Sequence, residues 1–270
     1  MKDRAGRVAT AGTGVLFLAY VVPIMWLIVT SLKSQPDLYA DPAGIVFRPT
    51  LDAYAAVMEE GLLQAAWNSF VIALGSTLLL VVLGAPAAFA LSRVNGFVAT
   101  AGLAGLIILQ MVPLAATVIP LYQILARFGL LSQVGVILTD CAEMLPFGVL
   151  LLRPFFAAVP IEVEEAAQVD GASRLRVFLQ VTLPLARNGV MTVACLAFIL
   201  IWGEFLYAIT FISDPTAYPL SALLSQQISF YGVNWPQLMA LSVAGSIPIL
   251  LVFLLTERRL QEGLAVGSVK

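Results

Sequence analysis

The chain has 270 residues, 60% of them hydrophobic and only 11% charged, with a mean hydropathy of +0.97 and a net charge of −2. A soluble domain carries about a quarter charged residues; a chain with so few cannot face water on all sides and belongs in a bilayer. The negative net charge argues against nucleic acid as a partner, and the absence of histidine excludes His-based catalysis and removes the commonest metal ligand.

A spanning helix needs about 20 apolar residues, and six stretches meet that need. They lie at about 12–31, 69–91, 100–124, 134–156, 189–212 and 238–256. The first is long enough to span and ends without a small-residue cleavage site, so it reads as a helix and not as a cleaved signal. Pro113 and Pro120 interrupt the third, and Asp140, Glu143 and Pro146 the fourth. Such prolines are tolerated where neighbours or water satisfy the freed carbonyls. The pattern predicts an all-α membrane protein with six transmembrane helices, forming one transmembrane domain over 1–270. Cys141 and Cys195 fall inside apolar segments without metal-ligand spacing and read as buried structural thiols; no metal site is expected.

Lys2, Arg4, Arg7, Arg93, Arg153, Arg174, Arg176, Arg187, Arg258, Arg259 and Lys270 lie at one set of ends, against Lys33, Arg48 and Arg127 at the other. The positive-inside rule therefore puts both termini in the cytoplasm, together with the long loop at about 158–188 between the fourth and fifth helices. Outside lie an acidic, proline-bearing loop at 33–68, with an amphipathic stretch around Leu51 to Leu63, a short one at 126–133, and an aromatic one at 213–237. Tyr231 and Trp235 in the last read either as an interfacial aromatic belt or as a contact surface for another protein.

The inner loop is unusually polar for so apolar a chain. Pro160 suits the first turn of a helix, and Glu162, Glu164 and Glu165 favour its positive end. Ala166 and Ala167 leave a smooth surface for close packing, Gly171 permits a left-handed turn, and Ser173 is a good N-cap for a second helix. Leu175, Phe178, Leu179 and Thr182 then recur at helical spacing. The loop reads as two short helices joined at a glycine, exposed on one membrane face and shaped to be gripped by another protein. The chain's only lysines, Lys2, Lys33 and Lys270, sit in no phosphate-binding loop, so any ATP-driven engine resides on another polypeptide.

Glu165-Ala166-Ala167, Gly171, Val181, Leu183 and Pro184 resemble the signature loop of bacterial ABC importer permeases, with Val181 in place of the usual isoleucine. Gln110 to Pro113 (QMVP), Ile119 to Tyr122 (IPLY), Leu91 to Arg93 (LSR), Trp202 to Phe205 (WGEF) and the tail Gly263 to Lys270 are similar to the carbohydrate-uptake branch, closest to the second permease half of the maltose type. The resemblance covers essentially the whole chain. It implies a non-catalytic inner-membrane subunit of a bacterial sugar importer whose inner loop is the coupling helix. Glu165, Ala166, Ala167, Asp170, Gly171, Leu183 and Pro184 would dock on an ATPase, and Gly263, Gly267 and Lys270 in the tail would reach toward the ATPase dimer. It implies as partners a second permease in a heterodimer, two ATPase subunits that hold the ATP and Mg, and a solute-binding protein or lipoprotein touching the aromatic outer loop. This chain itself would bind no cofactor.

Asp140, Glu143 and Glu204 are carboxylates inside predicted spans, each costing about 2.5–3.5 kcal/mol at mid-membrane on insertion scales. Helical rise puts them roughly 9, 14 and 12 Å below the outer ends of their spans. Glu143 and Glu204, with Gln110, Trp202 and Tyr122 nearby, are candidates for accepting hydrogen bonds from sugar hydroxyls; bracing the helix bundle is the competing role. The same three carboxylates would serve an ion-coupled secondary transporter, the alternative function. The long docking loop and the lack of a visible inverted repeat count against that alternative. A membrane-embedded enzyme has no nucleophile motif to support it.

Overall fold

The computed structural model describes the backbone of residues 2–230 and 232–268, and the side chains of residues 12–230 and 232–256. Helices follow one another from end to end. In order they are α1 (Lys2–Ser31), α2 (Gln35–Ala40), α3 (Asp52–Glu59), α4 (Leu62–Arg93), α5 (Phe97–Gln110), α6 (Leu114–Arg127) and α7 (Gln133–Ala157). Then come α8 (Ile161–Val169), α9 (Arg174–Val177), a π-helical turn at Phe178–Thr182, α10 (Leu183–Leu185), α11 (Arg187–Trp202), α12 (Leu206–Phe211), α13 (Leu220–Gln226) and α14 (Trp235–Ser268). A hairpin of two short strands, Ile228–Ser229 against Gly232–Val233, lies between α13 and α14. Its strands are too short for hydrophobic alternation to announce, and it is the one departure from an all-helical chain among the described residues.

Four helical stretches, Gly12–Ser31, Leu62–Arg93, Gln133–Ala157 and Trp235–Thr256, are each long and apolar enough to cross a membrane. Two more become available only as bent pairs, giving four to six candidate spans. The third expected span, at 100–124, is one of these. Its halves α5 and α6 meet at 89°. Pro113, at φ −64° and ψ 131°, precedes α6, and the restriction a proline imposes on its predecessor ends α5 two residues earlier. The fifth, expected as one helix over 189–212, is also broken. α11 holds 16 residues, about 24 Å at 1.5 Å per residue against a hydrocarbon core of about 30 Å. The backbone leaves the helix at Gly203 to Phe205 before α12 resumes. At its other end α11 meets the segment Arg174–Leu185 at 78°.

The chain forms two compact units, Met1–Leu63 with Leu223–Ile247, and Gln64–Ala222 with Pro248–Lys270. In the first, Lys33 is 1% exposed. Its ammonium donates to the Asp41 and Pro42 carbonyls at 3.2 Å and lies over the Trp26 and Phe47 rings at 5.6 and 5.4 Å, so a buried cation is met on every side. Ser34 caps α2 by accepting from Asp37 N, the Ser31 and Tyr54 hydroxyls meet at 2.8 Å, and Gln227 Nε2 donates to Glu60 at 2.7 Å. Phe230, fully exposed, marks the hairpin tip; Tyr231 lies outside the described residues.

The second unit is built around α7, which packs against α5, α11 and α12. Small residues let these backbones approach closely, the usual device where lipid tails compete with side chains for apolar surface. Gly75 faces Ile137, and Gly148 faces Leu80. The buried core gathers toward the end of the bundle where α4 and α7 finish: Ala85, Ala88, Val149, Leu152, Phe156, Phe178 and Val193, with Phe89 packed against it. Gly189 sets the distance between α7 and α11, because a Cβ there would overlap the Phe155 ring. Replacing Gly189 by Val is expected to destabilise the chain by about 1–3 kcal/mol, the cost of overpacking, seen as a lower melting temperature in detergent. An unchanged melting temperature would contradict the α7–α11 approach.

Candidate functional site

The inner loop is held by its own local chemistry. α8 begins after Pro160, whose ψ of 136° is extended. Gly171 adopts φ +87°, a left-handed conformation that side-chain-bearing residues rarely take, and so turns the chain between α8 and α9. Ser173 accepts from Arg176 N and caps α9. The next turn is π-helical, a register change that buries Phe178 and Thr182 while Leu175 and Leu179 stay exposed. The stripe that helical spacing predicted thus splits into an inner and an outer half.

The two adjacent glutamates of α8 have opposite environments. Glu165 is exposed, with Ala166 beside it. Glu164 is 5% exposed and meets Arg93 at the end of α4: Arg93 Nε donates to both carboxylate oxygens at 3.2 and 3.1 Å, and Nη2 to Oε1 at 2.5 Å. Thr182 Oγ1 donates to the same Oε1 at 2.9 Å, and Arg93 Nη2 also donates to the Val159 carbonyl at 3.1 Å. The guanidinium lies over the Phe89 ring at 5.6 Å, and Phe89, Phe156 and Phe178 contact one another with centroids 5.2–6.1 Å apart. A planar guanidinium is suited to hold a carboxylate with several donors at once. A cleft of about 560 Å³ opens beside this pair, lined by Phe89, Arg93, Ile161, Glu165, Gln168 and Arg174 among others. Asp170 and Gly171 are exposed at the turn, and Leu183 and Pro184 begin α10. Sequence reasoning missed the Arg93–Glu164 pair; its only signal is a lone arginine at the end of a span, with its partner 71 residues away.

The polar residues within the spans form a second group. Tyr207 on α12 donates to Glu143 Oε2 at 3.1 Å and shares a 2.8 Å hydrogen bond with Thr117 on α6. Glu204 accepts from Tyr207 N at 2.7 Å and from Ala208 N at 3.1 Å, so its carboxylate caps α12 where the fifth span breaks. Its own carbonyl accepts from Ser221 Oγ at 2.5 Å. Asp140 is 2% exposed, and its Oδ2 has no hydrogen-bond partner. Trp202 is buried against Phe198, and Tyr122 packs on Phe211. Gln110 is exposed in the last turn of α5, at the bend, and takes no part in the network. Tyr207 and Thr117 are the members that sequence reasoning missed. Of the tail residues, Gly263 and Gly267 fall on the backbone of α14, beyond the described side chains, and Lys270 lies outside the described residues.

Glu204→Ala removes both acceptors from the start of α12 and is expected to cost about 0.5–2 kcal/mol, as loss of a helix cap does. Glu204→Gln, which keeps one acceptor, should fall between Ala and the unsubstituted chain. Denaturant unfolding in detergent checks the order, and equal stability of all three would show that the break is held by something else.

Residues 80–261 match the family described as "Binding-protein-dependent transport system inner membrane component". The chain is 32% identical over 259 residues to the sulfoquinovosyl glycerol transport system permease protein SmoH of Agrobacterium fabrum, covering 95% of this chain and 91% of the relative. It is 31% identical over 262 residues to the diacetylchitobiose uptake system permease protein DasC of Streptomyces coelicolor, covering 95% and 94%. In fold it matches a chain of a bacterial ABC transporter involved in the import of the acidic polysaccharide alginate, with a TM-score of 0.81 at 21% identity over 96% of this chain and 97% of that one. The residues of the inner loop, the helical bundle and these matches lead to one conclusion: the chain belongs to the inner-membrane permease family of binding-protein-dependent ABC transporters, whose members are non-catalytic, multi-pass transport subunits.

Proposed function

We propose that this chain is one of two different permease subunits that together line the path of a sugar or sugar derivative through a bacterial inner membrane. Two ATPase subunits drive it, holding ATP and Mg themselves, and an extracytoplasmic solute-binding protein or lipoprotein feeds it. In this reading α5 with α6, and α11 with α12, make one span each, giving six spans with both termini and the loop at 158–188 in the cytoplasm. The sugar class is supported by the relatives more than 30% identical, which are named for sulfoquinovosyl glycerol and diacetylchitobiose.

The observation that carries the reading is the exposed half of α8 and the turn after it. Glu165, Ala166, Asp170 and Gly171 stand free on a helix whose other side is fastened to the bundle. Small residues permit close approach by a partner, and two carboxylates give it charge to recognise. Ala167, Leu183 and Pro184 extend the docking surface, and the tail with Gly263, Gly267 and Lys270 adds a second contact to the ATPase pair. In the same reading the exposed Phe230 of the hairpin and Trp235 at the start of α14 meet the solute-binding protein.

Within the membrane, Glu143 and Glu204, with Trp202 and Gln110, line the sugar's path. Glu143 is half-buried and its Oε2 already accepts from a tyrosine hydroxyl, the kind of donor a sugar would supply.

Two experiments test these assignments. A tagged chain purified from its native membrane should bring down an ATPase, and Glu165→Lys should weaken that association at least about tenfold, since like-charge juxtaposition at an interface costs several kcal/mol. A chain that brings down no ATPase, yet moves solute alone in liposomes, would defeat the reading and favour an ion-coupled carrier. Glu143→Ala should lower sugar uptake strongly while the ATPase still co-purifies; uptake kinetics like those of the unsubstituted chain would remove Glu143 from the path.

A further inference from the structure

Glu164 and Glu165 are neighbours in sequence, and about 100° separates successive residues around a helix. Glu165 is exposed, while Glu164 is buried and accepts three hydrogen bonds from Arg93 and one from Thr182. Arg93 is the last residue of α4, a helix of 32 residues that runs through the bundle. Thr182 closes the π-helical turn that leads through α10 into α11. Three elements therefore meet at one carboxylate, with Arg93 arriving from 71 residues away and Thr182 from 18. The Val159 carbonyl, accepting from Arg93 Nη2, fastens the segment between α7 and α8 to the same guanidinium.

We propose that Arg93 is a positioning residue, and that the Arg93–Glu164–Thr182 clasp is the tie through which movement of the docking helix α8 reaches α4 and α11. The proposal rests on the reading of α8 as the ATPase-docking element. A helix held only by apolar contacts can slide or roll by a fraction of a turn at small cost. A buried carboxylate that accepts four hydrogen bonds from three donor groups cannot, because moving it leaves a charge unpaired in an apolar surrounding. The clasp makes α8, the cytoplasmic end of α4 and the entry to α11 one body. A displacement applied at Glu165 is then delivered to two spanning helices without slack. The π-helical turn serves this arrangement by turning Thr182 inward beside Phe178, both buried in the same five-residue turn.

The test uses the complete transporter in proteoliposomes, comparing the unsubstituted complex with complexes carrying Arg93→Gln, Glu164→Gln, or both. The readout is solute taken up per ATP hydrolysed, together with the amount of ATPase that co-purifies. Expected are normal ATPase recovery and a fall in uptake per ATP of at least about fivefold, the low end for a coupling free energy between sites. The double variant should lose no more than either single one, because the two residues act as a unit. Uptake per ATP unchanged in both single variants overturns the proposal, even if less complex is recovered, since a merely structural role would lower uptake and hydrolysis together. Should Glu164→Gln fail to reach the membrane, Thr182→Val keeps the volume and the ion pair; it should lower the ratio about twofold or more, the equivalent of one hydrogen bond, and no change there also overturns the proposal. Absence of ATPase from the unsubstituted complex is a different result, and defeats the docking reading itself.

Discussion

A buried carboxylate has to be paired, and Glu164 is paired by reaching across the fold to Arg93. The pair adds little to net stability if taking both charges out of water costs as much as their attraction returns. What it fixes is geometry. A guanidinium fork accepts a carboxylate in few orientations, so α8 has one rotation about its axis and one distance from α4. The aromatic cluster of Phe89, Phe156 and Phe178 then packs around a frame already set, with Arg93 stacked over Phe89. From that single constraint follows which side of α8 faces outward, and so which residues are open to a partner.

The same rule governs the breaks in the spans. Backbone that leaves the helix inside an apolar medium exposes N–H and C=O groups that must find partners. At the fifth span the chain supplies them itself. The Glu204 carboxylate accepts from two N–H groups of α12, and the Glu204 carbonyl accepts from Ser221. Tyr207, held by that cap, reaches Glu143 and Thr117, so a local break becomes a cross-link between α12, α7 and α6. The Glu204 carboxylate is thus already engaged by two backbone donors of its own chain segment.

Local rules made much of the inner loop legible. Gly171 and Ser173 each act through their own backbone or a neighbour within three residues, and the structure uses both in the way their chemistry predicts, while Pro160 stands one residue before the first turn it was expected to open. Four of the apolar stretches were legible as single spanning-length helices, since hydropathy is a sum over a window. The windows also hid the bends. Averaging over 100–124 or 189–212 gives one apolar segment, whether the axis is straight or turns by 89° as at Pro113. Pro113 was visible as an interruption, but its consequence depends on what satisfies the freed groups, which is tertiary information. The Arg93–Glu164 pair was illegible for a related reason. Both glutamates sit in the first turns of a helix, where the dipole favours either, and only the arrival of α4 beside α8 distinguishes them.

That distinction gives α8 one side open to solvent and one side fastened to the bundle within nine residues. A docking element has to be free on one side and immobile on the other, or the work done on it is spent in bending it. In α8 the immobile side is a charge cluster, not an apolar seam, and this suits a motion that has to be transmitted. Apolar packing resists separation but yields to sliding, whereas a multiply bonded carboxylate resists both. The small residues lie on the free side and the large aromatic ones beneath the fixed side, so a partner can approach α8 closely without disturbing its anchorage. The open position, Glu165, and the fastened one, Glu164, are thus one peptide bond apart.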